Sequence, residues 1–536
     1  MVSTRLFTVF CFALALSAGV VFAGGRTLWQ DGGVQLCGPS AWKPVTAMSD
    51  DAGGAIAVWT DARVWPYGIF TQRVDASGVP QWAQDGVLLR DSTYMGFLAG
   101  TDDGRHGALV VMSGGGEAFA VQRVGADGVP LWGPDGEMLR PPSDSIGVWP
   151  ALVGDGHGGV VVVWSTQSIY FQTDTLIACR VDSSGSKRWE TLVRVDTLGE
   201  ASPCLCSDGE GGVIVAWSGY ESGVWRVQVQ RIDSAGVIRW GTAGVLACTL
   251  STTQDARACV AAGESCFVVG FHVRANSIWK VHAQALDMVG SRQWGLGSVP
   301  VTASSYSASG CVGMSAGEGG RSVWLWSENR TGTTELFAQK LDSAGNRCWD
   351  TTGVWLGTIN TSGGQLTATV DGRRGAIAAW TLYRSSQNWD IYAQHVDSSG
   401  RLCWNDTGLA VCRDTSNSTW PAAVSDGGGG AIITWLDDRG LYAQRVADGA
   451  GIAEAMNDER GVMSAGPTVV RGVLFLPIAS SRKLQAASLL DVSGRVVMDL
   501  HVGANDVSQL APGVYFTRGV QARARVQSIH RIVITR

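Results

Sequence analysis

Long apolar runs are scarce in this sequence. After the N-terminal stretch, no segment approaches the ~20 consecutive apolar residues that a membrane-spanning helix needs. No segment combines the length and the 3.6-residue periodicity of an amphipathic helix either. These two absences exclude a helical fold, and they exclude a membrane-spanning helix after residues 1–23.

Familiar catalytic and metal-binding motifs are also missing. The seven histidines are scattered and form no H-E-x-x-H motif. Paired C-x-x-C spacing is absent, and Cys204-x-Cys206 alone does not indicate a metal. "GMSAG" (Gly313 to Gly317) matches the G-x-S-x-G nucleophile motif, but that motif needs a strand-to-helix turn and no helix follows. We therefore predict no catalytic residue, no metal and no cofactor.

The chain has few charged residues, at 16% of the total. Its net charge of −6 is uneven, because residues 456–536 hold ten basic and five acidic residues (+5), which leaves −11 for the rest. An acidic main body argues against nucleic acid as a partner. Cysteines number twelve, one of them in the N-terminal stretch, so at least one of the remaining eleven has no partner within the chain. Cys259 and Cys266 flank a predicted hairpin and either form a bridge across it or remain buried thiols.

Glycine and tryptophan, by contrast, are abundant, with 71 and 23 residues. The stretch "TQRVDASGVPQW" (Thr71 to Trp82) recurs in altered form along the chain. Its closing tryptophan recurs every 50 to 57 residues, a period that suits a four-stranded propeller blade. These repeat tryptophans are Trp29, Trp82, Trp132, Trp189, Trp240, Trp294, Trp349 and Trp404.

Every repeat has the same internal order. In the first, we predict strands at Pro44 to Asp50, Ala55 to Trp59, Ile69 to Asp75 and Trp82 to Leu89, because these runs are rich in β-formers and bounded by Gly and Asp. In an antiparallel meander, the short Asp/Gly turns such as "DDAGG" and "DASG" all lie on one face, here called the uniform face. The longer and more varied loops lie on the opposite, variable face.

The ends of the repeat predict how the ring closes. The chain begins with an outer-type strand at Leu28 to Cys37, whereas its last repeat stops after the third strand. The first strand can complete the last blade, which leaves no open sheet edge and gives eight blades. A seven-bladed ring with one leftover unit is the alternative. The predicted fold class is all-β, an eight-bladed propeller over residues 24–451 followed by a small Ig-like β-sandwich.

The D-x-S-G-x-x-x-W element, as in Asp75, Gly78 and Trp82, resembles the tryptophan-docking turn of quinoprotein-type propellers. The Gly-to-Trp spacing is kept, while the Asp-to-Gly spacing is one residue shorter than in that family. The resemblance implies a propeller whose turns hold neighbouring blades together. The turn is thus interpreted as part of the scaffold.

The two ends of the chain predict export. Residues 1–23 have the basic, apolar and small-residue regions of a secretory signal peptide, and a membrane anchor is the alternative. Residues 452–465 are interpreted as a linker, and residues 466–536 as short strands of a β-sandwich. This last segment resembles the C-terminal sorting domain of type IX secretion cargo. The matching positions are Asp491, Gly494, Arg495, Pro512, Gly513 and Tyr515.

That resemblance implies transport by the type IX secretion machinery, and a protein that is secreted or attached to the outer surface of a Gram-negative-type cell. An ordinary Ig-like module without a sorting role is the alternative interpretation.

Candidate ligand-binding residues lie on the variable face. Acid and arginine follow the tryptophan of several second strands, and other tryptophans lie near prolines in the loops that lead to first strands. Such groups around the axis of a ring can bind a glycan or a protein loop. The alternative is that each acid–arginine pair stabilises its own loop. The candidates are Trp42, Asp61, Arg63, Trp149, Glu328, Arg330, Arg384, Trp420, Asp437 and Arg439.

We therefore predict a propeller of the binding or interaction type rather than an enzyme. Two alternatives stay open. One is a propeller enzyme that acts on glycans or uses a quinone cofactor, and the other is a structural component of a surface layer.

Overall fold

A computed structural model gives the fold of the chain. It describes residues 24–449 and 468–534 apart from short segments. Those segments are 66, 92–97, 114–117, 141–144, 169–173, 197–202, 222, 251–253, 262–265, 316, 318, 331, 360–364, 386–387, 414–415, 471–472, 477–483, 492–494, 501–502, 508–509, 512 and 522–523. Residues Gly24–Asp448 form one compact unit, and Gly449–Arg536 belong to a second. The predicted signal peptide and linker lie outside the described residues.

The first unit is an eight-bladed β-propeller, as predicted, and the described residues contain no helix. The chain opens with two short strands, β1 (Arg26–Thr27) and β2 (Val34–Cys37). Blade 1 consists of β3 (Ala41–Ser49), β4 (Ala55–Asp61), β5 (Gly68–Val74) and β6 (Val87–Arg90). Blade 2 consists of β7 (Leu98–Asp102), β8 (Ala108–Ser113), β9 (Phe119–Val124) and β10 (Glu137–Leu139). Blade 3 consists of β11 (Ser145–Gly154), β12 (Val160–Ser168), β13 (Asp174–Val181) and β14 (Lys187–Asp196).

The remaining blades repeat this antiparallel order. Blade 4 consists of β15 (Cys204–Ser207), β16 (Val213–Glu221), β17 (Val224–Ile232) and β18 (Val245–Leu246). Blade 5 consists of β19 (Gln254–Ala261), β20 (Cys266–Ala275), β21 (Ile278–Asp287) and β22 (Val299–Pro300). Blade 6 consists of β23 (Ala308–Ser315), β24 (Ser322–Arg330), β25 (Thr333–Leu341) and β26 (Val354–Thr358). Blade 7 consists of β27 (Leu366–Val370), β28 (Ala376–Ser385), β29 (Asn388–Val396) and β30 (Leu409–Cys412).

Blade 8 joins the two ends of the ring. It contains β31 (Thr419–Ser425), β32 (Ala431–Asp437) and β33 (Gly440–Ala447), and both β1 and β2 pair with β33. The first strands of neighbouring blades contact one another all round, including β31 with β3. The N-terminal strands therefore occupy the outer edge of the last blade.

The second strand of each blade provides most of the core. These strands are almost wholly buried, and six of them place a buried tryptophan at the same position. Trp217, for example, packs in a cluster made of side chains from blades 3 and 4. Burial of large apolar side chains between sheets is the main stabilising force in such a fold.

The recurrent turn on the uniform face joins neighbouring blades. Seven of the repeat tryptophans lie against a turn glycine of the next blade, and Trp404 lies against Gly25, just before β1. A Cβ atom at any of these glycines would fall at most 3.0 Å from the indole. The indole Nε1 of Trp82 also donates to the Ala126 carbonyl of blade 2 at 3.0 Å. The docked pairs are Trp29–Gly78, Trp82–Gly128, Trp132–Gly185, Trp189–Gly236, Trp240–Gly290, Trp294–Gly345, Trp349–Gly400 and Trp404–Gly25.

A second set of contacts holds the other turns of the uniform face. In blade 3, Asp155 Oδ1 accepts from the backbone N–H groups of His157 and Gly159, both at 2.8 Å, and so caps its own turn. Its Oδ2 pairs with Arg180 at 2.8 Å, and Arg180 donates onward to the Ser234 carbonyl of blade 4. The same aspartate–arginine pair recurs as Asp50–Arg73, Asp103–Arg123, Asp208–Arg231 and Asp426–Arg445.

One expectation needs correction, and one open alternative is decided. The outer strand of blade 1 begins at Val87, not at Trp82, because Trp82 lies in the docking turn and its N–H donates to the side chain of Gln72. Cys266 is a free buried thiol and forms no bridge with Cys259. The register explains this, because Cys259 lies opposite Val269 on β20, three residues along the strand from Cys266.

The second unit is also built of strands. It forms a five-stranded and a two-stranded sheet from β34 (Thr468–Val470), β35 (Val473–Leu476), β36 (Leu484–Leu490), β37 (Val496–Leu500), β38 (Gly503–Asp506), β39 (Gly513–Gln521) and β40 (Ala524–Ile534). Asp491 caps the turn between β36 and β37 through the N–H of Arg495 at 3.1 Å, and the Tyr515 hydroxyl donates to the Ala511 carbonyl at 2.8 Å. Gly494 and Pro512 lie outside the described residues.

Candidate functional site

The acid–arginine pairs of the variable face are engaged within their own blades. In blade 1, the buried carboxylate of Asp61 pairs with Arg63 at 3.0 Å and accepts from the indole of Trp59 at 2.9 Å. Burial alone would raise the pKa of Asp61, but hydrogen bonds from Arg63 N–H, Trp59, Ser40 and Cys37 outweigh it, and the pKa is lowered. Asp61 is therefore a buried anion that holds its loop.

The same arrangement recurs in blade 6. Glu328 pairs with Arg330 at 2.8 Å and accepts from the indole of Trp326, also at 2.8 Å. The guanidinium of Arg330 then lies 3.9 Å from the ring centroid of Phe337, and Trp326 stacks on that ring. Arg63 lies over Phe70 at the same distance of 3.9 Å in blade 1. We call this set of a buried acid, an arginine and two aromatic rings a loop clamp. Its recurrence in two blades favours a structural role for these pairs.

Blade 7 departs from this arrangement, whereas blade 8 keeps its acid, arginine and aromatic ring. Arg384 pairs at 3.1 Å with Asp390, which comes from the third strand rather than from the loop. In blade 8, Asp437 pairs with Arg439, whose guanidinium lies over Tyr442. The side chain of Asp437 is fully buried, whereas its neighbour Asp438 is exposed.

The tryptophan candidates lie at irregular points of the first strands. The register of β3 with β4 shifts between Trp42 and Val45, and that of β31 with β32 shifts between Thr419 and Ala422. Each shift contains a proline, which cannot donate to the ladder and so favours a bulge. Strand β11 shows the same shift next to Trp149, whose side chain lies outside the described residues.

Two of these bulges border one cleft between blades 8 and 1. The cleft has a volume of about 410 Å³, within the ordinary range of small-molecule sites, roughly 300–1,000 Å³. Trp42 is 47% exposed there and presents its ring to the cleft. The residues that line the cleft are Pro39, Ala41, Trp42, Asn417, Thr419, Trp420, Leu436, Asp437 and Asp438.

Two features of the cleft are strained or unsatisfied. Trp420 has a φ of 56°, and among the described non-glycine residues with positive φ it alone lies in a strand. A bulky residue in the left-handed region just before a proline is costly, and such outliers concentrate at functional sites. The Oδ1 atom of Asn417 is buried and finds no hydrogen-bond donor among the described residues. It is thus a buried acceptor left unsatisfied beside the cleft.

The structure brings together only part of the predicted site. Trp42, Trp420 and Asp437 line the same cleft, whereas Asp61, Glu328 and their arginines belong to loop clamps. Asn417 and Asp438 were not among the candidates. The signal that could have identified Asp438 was its place as a second acid after Trp435, which the other blades lack.

Similar solved structures share the fold and little sequence. An ulvan lyase of a polysaccharide lyase family is 9% identical over 72% of this chain and 96% of its own, with a TM-score of 0.43. The β-propeller domain of the Trilobed protease from Pyrococcus furiosus is 8% identical over 76% and 94%, with a TM-score of 0.35. The NanB sialidase from Streptococcus pneumoniae is 10% identical over 79% and 70%, with a TM-score of 0.32. No protein family and no curated sequence matches the chain.

Chemically, the cleft is suited to binding. It offers two aromatic rings and one exposed carboxylate at Asp438, and the amide of Asn417 lies at its wall. Its other carboxylate, Asp437, is buried and paired with Arg439. Glycoside hydrolysis usually needs two carboxyl groups on opposite sides of the scissile bond, and these adjacent residues do not provide that arrangement. Of the "GMSAG" segment, Gly313 to Ser315 lie in β23, which ends at Ser315.

No helix among the described residues is long and apolar enough to cross a membrane.

Proposed function

We propose that this protein is a binding propeller, and that the cleft between blades 8 and 1 holds a glycan. The observation that supports this most directly is the exposed ring of Trp42 beside the strained Trp420 in one cleft. Exposure of one ring and strain at the other both cost free energy in the unliganded chain. A ligand that covers the rings recovers part of that cost.

The chemistry of the lining favours a sugar. The faces of aromatic rings attract the polarised C–H groups on the faces of pyranose rings, because the π-system is negative there. The exposed carboxylate of Asp438 can accept a hydrogen bond from a sugar hydroxyl. An apolar cleft with a few fixed polar groups is the usual form of a small-molecule site.

The charge at the cleft further restricts the class of glycan that it can bind. Among the described residues that line the cleft, the exposed charge is the carboxylate of Asp438, since Asp437 pairs with Arg439. The chain outside residues 456–536 also has a net charge of −11. Like charges repel at an interface, so the cleft should favour neutral glycans over sulfated or uronic ones.

A glycan array with the purified protein tests this proposal. We expect binding to one class of neutral glycan, and we expect Trp42→Ala to weaken it by more than about tenfold, as for an aromatic anchor. Trp355→Ala is the matched control, because Trp355 is 37% exposed on the outer strand of blade 6, away from the cleft. Absence of glycan binding, or an equal loss in the two variants, would contradict the proposal.

The same samples test the enzyme alternative. Any glycan that binds can be incubated with the protein and examined for shorter products. Cleavage that disappears in Asp438→Asn would replace the binding function by catalysis at this cleft. An intact glycan is the result that we expect.

We also propose that the chain is exported and sorted through residues 466–536. The order of the turn at Asp491, Arg495 and the Pro–Gly–Val–Tyr segment supports this proposal, together with the apolar N-terminus. Removal of Pro467 to Arg536 should abolish delivery to the cell surface while the chain still reaches the periplasm. Unchanged surface delivery in a protease-accessibility assay would favour an ordinary β-module instead.

A further inference from the structure

The aspartate–arginine pair of the uniform face is replaced in blade 7. Where blades 1 to 4 and 8 have arginine, β29 carries His395, which is almost fully buried. Its Nε2 lies 3.1 Å from Asp371 Oδ2, and its Nδ1 lies 2.7 Å from Asp448 Oδ1. The repeat therefore changes at this turn.

A second departure occurs at the same point. Blade 8 lacks the hairpin turn whose backbone carbonyl accepts from the docked tryptophan in every other blade. Instead, the carboxylate of Asp448 accepts from the Trp404 indole at 2.8 Å. Cys403, the residue before Trp404, is buried next to both groups. A His, a Cys and an Asp thus meet where the consensus of the repeat is lost.

These three side chains form a compact set of donor atoms. One ligand atom from each of His395, Cys403 and Asp448 lies within 4.8 Å of the others. Tetrahedral zinc, with bonds of about 2.0–2.3 Å, needs its ligand atoms about 3.3–3.8 Å apart. His395 Nδ1 and Asp448 Oδ1, which are 2.7 Å apart, must therefore separate slightly, while atoms near the 4.8 Å limit must approach. Nitrogen, thiolate and carboxylate together are typical zinc ligands.

The neighbours of the cluster orient it as metal sites require. Asp371 accepts from Nε2 of His395, which leaves Nδ1 facing Asp448 and Cys403. A carboxylate that fixes the distal nitrogen of a ligand histidine is the usual second layer around zinc. Asp371 is itself held in place, because its Oδ1 accepts from the N–H groups of Arg373 and Gly375.

We propose that His395, Cys403 and Asp448 form a zinc site at the junction of blades 7 and 8. The metal replaces protons on His395 Nδ1 and on the Cys403 thiol, which leave to solvent. The partial exposure of Asp448, 34% of its side chain, gives the ion access and leaves the fourth position to water. The site lies on the uniform face, and it is independent of the cleft of the variable face.

The competing explanation is that His395 is a cation that stands in for arginine. In the metal-free chain, burial tends to lower the pKa of His395, but its hydrogen bonds to Asp371 and Asp448 raise that pKa to about 11. A purely structural imidazolium would account for the two carboxylate contacts. It would not require the thiol of Cys403.

Metal titration of the chelator-treated full chain separates the two explanations. We expect one equivalent of Zn²⁺ to bind, and we expect Cys403→Ser to weaken its affinity by more than about 100-fold. Asp371→Asn, which keeps an acceptor for its turn, should weaken it by about 10–100-fold. His395→Arg should abolish zinc binding. This variant should still fold, because five other blades carry arginine at the same position.

The matched control is Cys348→Ser. Cys348 also precedes a docked tryptophan, but it is exposed, and Lys340 takes the place of the histidine in its blade. With Co²⁺ in place of zinc, the thiolate-to-metal absorption band should persist in Cys348→Ser and disappear in Cys403→Ser. No stoichiometric Zn²⁺ in the parent protein, or an equal cobalt band in both variants, would overturn the proposal.

Discussion

Glycine in the docking turns combines two roles at a single position. Gly128 has a φ of 85°, a conformation that side chains with a Cβ atom rarely adopt. The same residue faces Trp82 of the preceding blade, and a Cβ atom would lie 2.7 Å from its ring. The residue type is thus required both by the backbone of its own turn and by the contact with the neighbouring blade.

The variant Gly128→Ala separates these roles. We expect it to lower the free energy of unfolding by about 2–4 kcal/mol, from left-handed strain plus overpacking. Gly156→Ala is the control, since Gly156 has a φ of 75° and a methyl group added there would meet nothing within 4 Å. It should lose only the strain part, about 1–2 kcal/mol. Equal losses in a thermal or denaturant melt would show that the indole contact contributes nothing.

Individual site residues were predictable only where they interrupt the repeat visibly. Trp42 and Trp420 were found because large aromatic residues near prolines lie in loops that differ between blades. Asn417 was not found, because its interest comes from a buried oxygen without a donor, which depends on three-dimensional packing. His395 and Cys403 were missed because nothing in the linear sequence shows that Asp448 lies beside them.

Strands follow from the sequence more reliably when they are buried. In most blades the second strand is an apolar run that follows a glycine-rich turn, and the structure has strands there in all eight blades. The outer strands are shorter and partly exposed, so their pattern is weak. The outer strand of blade 1 was placed five residues too early, because the conspicuous Trp82 belongs to the turn and not to the strand.

Blade 5 shows how an irregular element keeps its place in the ring. Phe271 occupies the position that tryptophan has in six other second strands, and it is fully buried. Gly270 beside it leaves room for Trp324 of blade 6, since a Cβ atom there would lie 2.0 Å from that indole. The missing aromatic volume in one blade is therefore supplied from the next. Loss of the motif in the sequence did not mean loss of the blade.

The whole ring depends on a closure made by the start of the chain. The Leu28 N–H donates to the Arg445 carbonyl at 2.8 Å, and the Trp29 N–H donates to the Gln444 side chain at 2.9 Å. Trp29 also docks on the turn of blade 1, and Trp404 docks on Gly25. The N-terminal segment with β1 and β2 thus connects blade 8 to both of its neighbours, and its removal affects more than one contact.

Removal of residues 24–37 should therefore open the propeller. The chain that starts at Gly38 leaves β33 as a free edge and uncovers the core around Leu36 and Cys37, which are 2% and 1% exposed in the intact ring. A free strand edge pairs readily with another chain. We expect a lower melting temperature and concentration-dependent oligomers in light scattering.

A chain that starts at Gly24 is the control for truncation itself, and it should remain as stable as the full chain. Addition of a peptide that spans residues 24–37 should restore the monomer if the lost contacts are those of the edge. An unchanged melting temperature in the shorter chain would mean that the ring is held by the contacts between the innermost strands of neighbouring blades alone.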